Sequence, residues 1–166
     1  MFEVLVYVYE NYWRGDACPE LFRLERKLGA VGFDSDEIRQ ALNWLDGLNL
    51  AAQCTQWRAT ETPPVASRQN LATLQSAHSM RVYSAAEQDH LGAACLGFIS
   101  FLESSGVLPS PMREIVIDRA MAVADDEVTL DDLKIIILMV YWSFGEEPDA
   151  LVLDELCDDP ADRVAH

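Results

Sequence analysis

The sequence is poor in positive charge. It contains 12 Lys and Arg residues against 28 Asp and Glu residues, a formal net charge of −16 in 166 residues. Phosphate backbones and anionic lipid headgroups carry charge of the same sign, so this chain is repelled by both. We therefore expect no membrane partner and no direct contact with nucleic acid, and a basic protein is the better match.

The residue types that carry most enzyme chemistry are also scarce or badly spaced. None of the three His residues has another His or a Cys three or four positions away, and the four Cys form no C-x-x-C pair. Neither a glycine-rich phosphate loop nor a G-x-S-x-G motif is present. The acidic run at 125–132 lacks the alternating acids and central Gly of a calcium loop, and is typical of loop and helix-start acids. The prediction is no catalytic residue, no metal, no cofactor and no enzyme.

The start of the chain contains neither a basic segment followed by an apolar stretch nor a small-residue cleavage site. Cys95 falls on an apolar helical face, where a thiol is usually part of the core. These two observations predict a reduced protein of the cytoplasm.

No apolar run approaches the roughly 20 residues that span a bilayer. The longest covers residues 135–142, inside the stretch LDDLKIIILMVYWSF at 130–144. Thr129 precedes this stretch, and Asp132 stands where a capping side chain would meet the first turn. A helix that is apolar all round must be buried on all sides, so we predict that 130–144 is the central core helix.

Three helices are predicted in residues 1–50. Residues 2–13 fit one helical face, although the alternation of Val4, Val6 and Val8 also suits a strand. A second helix follows Pro19. Asp34 and Glu37 have capping-box spacing at the start of a third helix. Its predicted buried stripe comprises Ile38, Ala41, Leu42, Leu45 and Leu48.

Residues 51–83 break this periodicity and predict a linker, either a long loop or a short β-hairpin. Ser84 and Glu87 then form a second capping box, which starts a helix over 87–105 that Gly106 ends. Residues 84–157 form the predicted C-terminal helical bundle around helix 130–144, and 158–166 an acidic tail. The fold class is mainly α.

Three helices followed by a strand-prone stretch is also the order of a winged-helix domain. Its wing strands would come from 48–54 and 80–83. The third helix, which would read DNA, begins with Asp34, Asp36 and Glu37, so a domain of this kind is expected to bind protein. Its candidate partner-binding face comprises Arg39, Asn43, Trp44 and Arg81, and Trp44 and Trp57 are candidate exposed anchors.

Several blocks, in this order and spacing, resemble the Smg family of bacterial proteins: MFEVLVYVYENY, GFDSDEIRQALNWLDGL, SMRVYSAAE, GFISFLE, REIVIDRAMA and LDDLKIIILMVYWSF. They extend from residue 1 to about 144. The resemblance implies a cytoplasmic bacterial protein of uncharacterised function and supplies no catalytic or binding residue.

These observations predict a non-enzymatic regulator or adaptor that binds an unidentified protein partner through an acidic helical surface. The alternative is a nucleic-acid-associated regulator that uses the winged-helix-like N-terminal unit.

Overall fold

The computed structural model describes residues 1–12, 21–60, 81–124 and 127–146, with the backbone alone at 21, 22 and 56–60. Within these ranges the chain forms six helices: α1 (Phe2–Tyr12), α2 (Leu21–Val31), α3 (Ser35–Thr60), α4 (Ala85–Ser104), α5 (Ser110–Met121) and α6 (Leu130–Phe144). The mainly α fold class is confirmed, and the N-terminal segment is helical rather than extended.

The central helix is α6, as predicted. It contacts α1, α3, α4 and α5, and Leu133, Ile136, Ile137, Met139 and Val140 are completely buried. The Thr129 hydroxyl accepts a hydrogen bond from the Asp132 amide at 3.2 Å, and the Asp132 carboxylate accepts one in return from the Thr129 amide. At the other end Gly145 adopts φ +67°, a left-handed conformation that suits glycine, and closes the helix.

The helices around α6 share one hydrophobic core. Residues of α1, α2 and α3 (Val4, Leu24 and Leu45 among them) join residues of α4, α5 and α6 in a single cluster of buried side chains. Helix α2 packs on α3, and α3 in turn packs on α5 and α6. The boundary predicted after residue 50 falls inside α3; the division into units stays a prediction.

The hairpin and the wing are not supported. Residues 48–54, expected to supply the first wing strand, lie within α3, and residues 81–84 are not a strand. The physical reason is the continuing helical periodicity, since Leu45, Leu48 and Ala52 are all buried on one side of α3. The predicted linker over 51–83 is therefore wrong for residues 51–60, which are helical, whereas 61–80 and the predicted acidic tail lie outside the described residues.

The predicted capping box at the start of α3 is only partly formed. Asp34 does cap α3, but its carboxylate accepts a hydrogen bond from the Asp36 amide at 2.8 Å, while the Glu37 carboxylate accepts one from the Met1 amine at 3.3 Å. In the first turn of α6 the side chain of Lys134 is buried.

Candidate protein-interaction surface

Helix α3 is held to the rest of the molecule by its inner side. The indole Nε1 of Trp44 donates a hydrogen bond to the backbone carbonyl of Arg119 on α5, at 2.9 Å. One turn on, Gly47 leaves room for the Arg119 guanidinium, which a Cβ at this position would overlap. Leu45 and Leu48 complete this buried side. Since these contacts fix the rotation of α3 about its axis, they also determine which residues face solvent.

The opposite side of α3 is a continuous exposed stripe. We define the α3 outer face as Asp36, Arg39, Asn43, Asp46 and Leu50, which recur every three or four residues and are all exposed. Leu50, the one apolar residue of the α3 outer face, is 64% exposed. This face therefore combines two carboxylates, one guanidinium group and one amide with a single apolar side chain.

The one described ion pair within this face is weak. The Arg39 Nη2 and Asp36 Oδ1 atoms are 2.8 Å apart, with about 70% of each side chain exposed. Exposed pairs of this kind contribute roughly 0–1 kcal/mol to stability. Both side chains can therefore reorient towards a partner at little cost.

The four residues of the predicted partner-binding face divide into an exposed pair, Arg39 and Asn43, and a pair with internal partners, Trp44 and Arg81. Arg39 and Asn43 lie on the α3 outer face, whereas Trp44 is 4% exposed and cannot act as an exposed anchor in this conformation. The side chain of Trp57 lies outside the described residues.

Arg81 is committed to an internal ion-pair network. Its guanidinium donates to the Glu87 carboxylate at 2.8 and 3.2 Å and to the Glu114 carboxylate at 2.9 and 3.1 Å. The hydrogen bonds from Arg81 to Glu87 lower the pKa of Glu87 to about 2. The hydrogen bond that the Ser84 amide donates to Glu87 makes a smaller contribution in the same direction. Arg81 thus joins the start of α4 to α5 and is not placed as a surface contact.

Sequence reasoning missed the centre of this network, Arg113. This guanidinium is 2% exposed, lies 2.7 Å from Glu114 and also contacts Glu103 on α4. A buried charge persists only when it is paired, so two carboxylates beside one Arg explain its position. The signal was available in the helical pattern, since Arg113 lies beside Met112 and one turn before Val116 and Ile117 on the buried side of α5.

The remaining groups of chemical interest bind backbone atoms. His90 Nε2 lies 3.2 Å from the Ala120 carbonyl, and the Tyr141 hydroxyl donates to the Val107 carbonyl. The Cys95 thiol donates to the Val128 carbonyl, and burial raises its pKa to about 11, with further contributions from Asp132 and Glu127. The described ranges hold no group of three His, Cys, Asp or Glu residues placed to share a metal ion.

Within the described part of the chain, none of the helices combines the length and the apolar character needed to cross a bilayer. The molecule is thus an acidic, mainly helical protein built on a buried central helix, with one face of its longest described helix open to solvent.

Comparison with known proteins places this architecture in a family. The family model described as "Protein of unknown function (DUF494)" matches residues 1–166, and the chain belongs to this family. It is 57% identical to the Protein Smg homolog of Methylibium petroleiphilum and 58% identical to that of Leptothrix cholodnii, in each case over the whole of both chains. The Protein Smg homolog of Bordetella avium is 47% identical, again over both full lengths. The resemblance seen in the sequence is confirmed. No solved structure matches.

Proposed function

We propose that this chain is a non-enzymatic cytoplasmic regulator or adaptor that binds a basic protein partner through the α3 outer face. The proposal rests on the observation that one side of α3 is bound to the rest of the molecule and the other side is exposed. The inner side is locked by Trp44 and Arg119, while the outer side exposes Asn43, Asp46 and Leu50 with little internal bonding. A rigid helix with an exposed mixed face offers a partner a preorganised binding surface.

The chemistry of the face favours a basic partner. Asp36 and Asp46 lie on it, and the whole chain carries a net charge of −16, which accelerates the approach of a positively charged protein. Leu50, at the C-terminal end of the face, supplies an apolar contact for the interface. Binding of this kind weakens as salt screens the attraction.

Two features that the nucleic-acid alternative requires, a wing strand and an unpaired Arg81, are not supported. Residues 48–54 are helical where a wing strand was required, and Arg81 is paired with two carboxylates. Direct binding to nucleic acid is therefore kept only as an outcome of the experiment.

The test compares partner capture by three versions of the full-length chain in lysate from the native bacterium. Wild type, Asp46→Arg and Glu10→Arg are used as baits, with and without nuclease, and captured proteins are quantified by mass spectrometry. Asp46 and Glu10 are both exposed, on α3 and α1 respectively, so the two variants change net charge equally. We expect Asp46→Arg to lower recovery of a specific protein about tenfold, the ratio that corresponds to roughly 1.4 kcal/mol of binding free energy.

Glu10→Arg is expected to retain the partner, and nuclease is expected to change nothing. Equal loss in both variants would indicate a general charge effect rather than a binding face. If nuclease abolished all capture, nucleic acid would replace protein as the partner.

A further inference from the structure

The exposed positive charge of the molecule is concentrated on and beside α2. In the part of the chain whose side chains the structure describes, the exposed Lys and Arg residues are Arg23, Arg26, Lys27 and Arg39. The other cations of these ranges are buried or half-buried, namely Arg81, Arg113, Arg119 and Lys134. Exposed acids, by contrast, lie on every one of the six helices. A chain with a net charge of −16 therefore has one locally basic helix on its described surface.

The three cations of α2 share one side of the helix. Arg26 and Lys27 follow Arg23 by three and four residues, the spacing that places side chains on the same helical face. The single acid of this helix, Glu25, has neither spacing from any of them and lies on a different side. Val31, four residues after Lys27, is 52% exposed and adds an apolar side chain at the end of the stripe. We define the α2 outer face as Arg23, Arg26, Lys27 and Val31.

The rest of the molecule holds this face in one orientation. Leu24 and Leu28, on the inner side of α2, are buried in the hydrophobic core, and α2 packs on α3. The Lys27 ammonium lies 5.1 Å from the centre of the Tyr12 ring, a cation–π contact with the last residue of α1. Because the helix cannot rotate without exposing its leucines, its cations form a preorganised set.

We propose that the α2 outer face binds a short acidic segment of another protein. A guanidinium group can donate two parallel hydrogen bonds to one carboxylate, so the two Arg side chains suit two acidic residues, and the Lys27 ammonium suits a third. Arg23 and Lys27 are about 6 Å apart along the helix axis, which matches carboxylates three or four residues apart on a helical segment. Val31 provides an apolar contact beside the charges.

The charges around the face favour a short segment over a nucleic acid. Proteins that bind nucleic acid by charge commonly contact about six to ten phosphates, whereas this face offers three cations within little more than one helical turn. A strand long enough to make more contacts would bring its phosphates towards Glu25 and towards Asp34 and Asp36, which are exposed and follow α2 directly. A basic protein, the partner proposed for the α3 outer face, is repelled by the α2 cations. The acidic segment therefore belongs to a second partner, and the two faces together would allow the chain to join two proteins.

The test is fluorescence anisotropy, in which the full-length chain is titrated into a labelled helical peptide of about 20 residues. The peptide presents Glu side chains three and four positions apart, with Leu one turn further on. Wild type is expected to bind it with a dissociation constant below about 100 µM. Arg26→Gln and Lys27→Gln are each expected to raise this constant about fivefold, because a carboxylate of the peptide loses its charged partner. The matched control is Gln53→Glu at an exposed position of α3, which changes the net charge equally and is expected to bind like wild type.

Two further probes separate the alternatives. A peptide with Gln in place of each Glu is expected not to bind, and a single-stranded DNA oligonucleotide of equal charge is expected to bind at least tenfold more weakly than the acidic peptide. Circular dichroism confirms that each variant is folded. The proposal is overturned if wild type does not bind the acidic peptide, if the neutral peptide binds equally well, or if Gln53→Glu weakens binding as much as Arg26→Gln. Equal or tighter binding of the oligonucleotide would also overturn it and assign the face to phosphates. Partner capture by the α3 outer face is measured with Asp46→Arg and does not depend on these results.

Discussion

The side chain of Arg81 shows how single residues hold this fold together. Its guanidinium joins Glu87, near the start of α4, to Glu114 on α5, and Glu114 also binds the buried Arg113. Each carboxylate has an Arg partner, so the charges satisfy one another at the junction of the two helices. Removing one carboxylate would leave the two guanidinium groups with fewer charged partners in a poorly solvated site, which destabilises the fold.

Glu87→Gln is expected to lower the free energy of unfolding by about 2 kcal/mol at pH 7, the range for a hydrogen bond to a charged group. Gln can still accept at the third position of a capping box, so the variant removes the charge facing Arg81 and retains the cap. Urea denaturation of both proteins measures the difference. An equal stability at pH 7 would show that the Arg81 pair contributes nothing.

The same pair predicts a pH dependence. The pKa of Glu87 is about 2 in the folded protein, below its ordinary value of 4.5, so between these values the unfolded chain binds more protons. Its stabilising contribution is complete above pH 4.5 and is lost as pH falls towards 2. The stability difference between wild type and Glu87→Gln should therefore narrow between pH 5 and about pH 3. A constant difference across this range would contradict the assigned pKa.

The sequence predicted half of what these residues do. The spacing of Ser84 and Glu87 indicated the capping box, because a cap depends on neighbours within one turn. The pairing of Arg81 with Glu114, 33 residues away, and the hydrogen bond from Trp44 to the Arg119 carbonyl depend on how helices meet. No local pattern contains that information, so both residues were assigned to an exposed face, although Trp44 is buried and Arg81 is half-buried between two carboxylates.

Among the helices, α4 is interrupted once. Gly92 has φ +66° and ψ 172°, a backbone conformation that is essentially restricted to glycine. Near this break the carbonyl of His90 accepts a hydrogen bond from the Val128 amide at 3.0 Å. The kink therefore attaches the start of α4 to the segment before α6, which a straight helix would not do.

Two glycines of α4 give opposite expectations for substitution by alanine. Gly92→Ala should destabilise the fold by about 1–3 kcal/mol, because alanine is strained in that conformation. Gly97→Ala should stabilise the monomer by about 0.5–1 kcal/mol, because the site is an open helix interior. Urea denaturation at two protein concentrations that differ tenfold separates the stability of the monomer from any effect of self-association. Destabilisation by Gly97→Ala at the lower concentration would show that its surroundings are not open.

Helix ends were more predictable than helix lengths. The start of α6 at Thr129 and the glycine stop at Gly106 were predicted, because both follow from side-chain and backbone chemistry within a few residues. The length of α3 was underestimated, because its later residues are rich in polar and small side chains and resemble a linker. They are helical because Leu48 and Ala52 continue a buried stripe that packs on other helices.

For the whole molecule the dominant property is its net charge of −16. Charges of one sign repel one another in the compact state more than in the expanded chain, and this repulsion destabilises the fold. Raising the salt concentration from 10 mM to 100 mM shortens the screening length from about 30 Å to about 10 Å. We expect the melting temperature to rise, by about 3 °C for each kcal/mol of repulsion removed.

Scanning calorimetry in NaCl and in KCl measures this effect, and the two salts should agree because screening depends on ionic strength. A melting temperature that falls with salt would mean that favourable ion pairs, such as the Arg81 network, outweigh the general repulsion.

The sequence by itself determined the family, the helical class, the central helix and most helix starts and stops. These properties follow from composition, from the 3.6-residue period and from contacts within one turn, all of which are local along the chain. Only the tertiary structure decided that Trp44, Arg81 and Arg113 are internal connections and that Arg39 and Asn43 remain exposed. Which side of a helix faces solvent depends on the helices that cover it, and those helices come from distant parts of the chain.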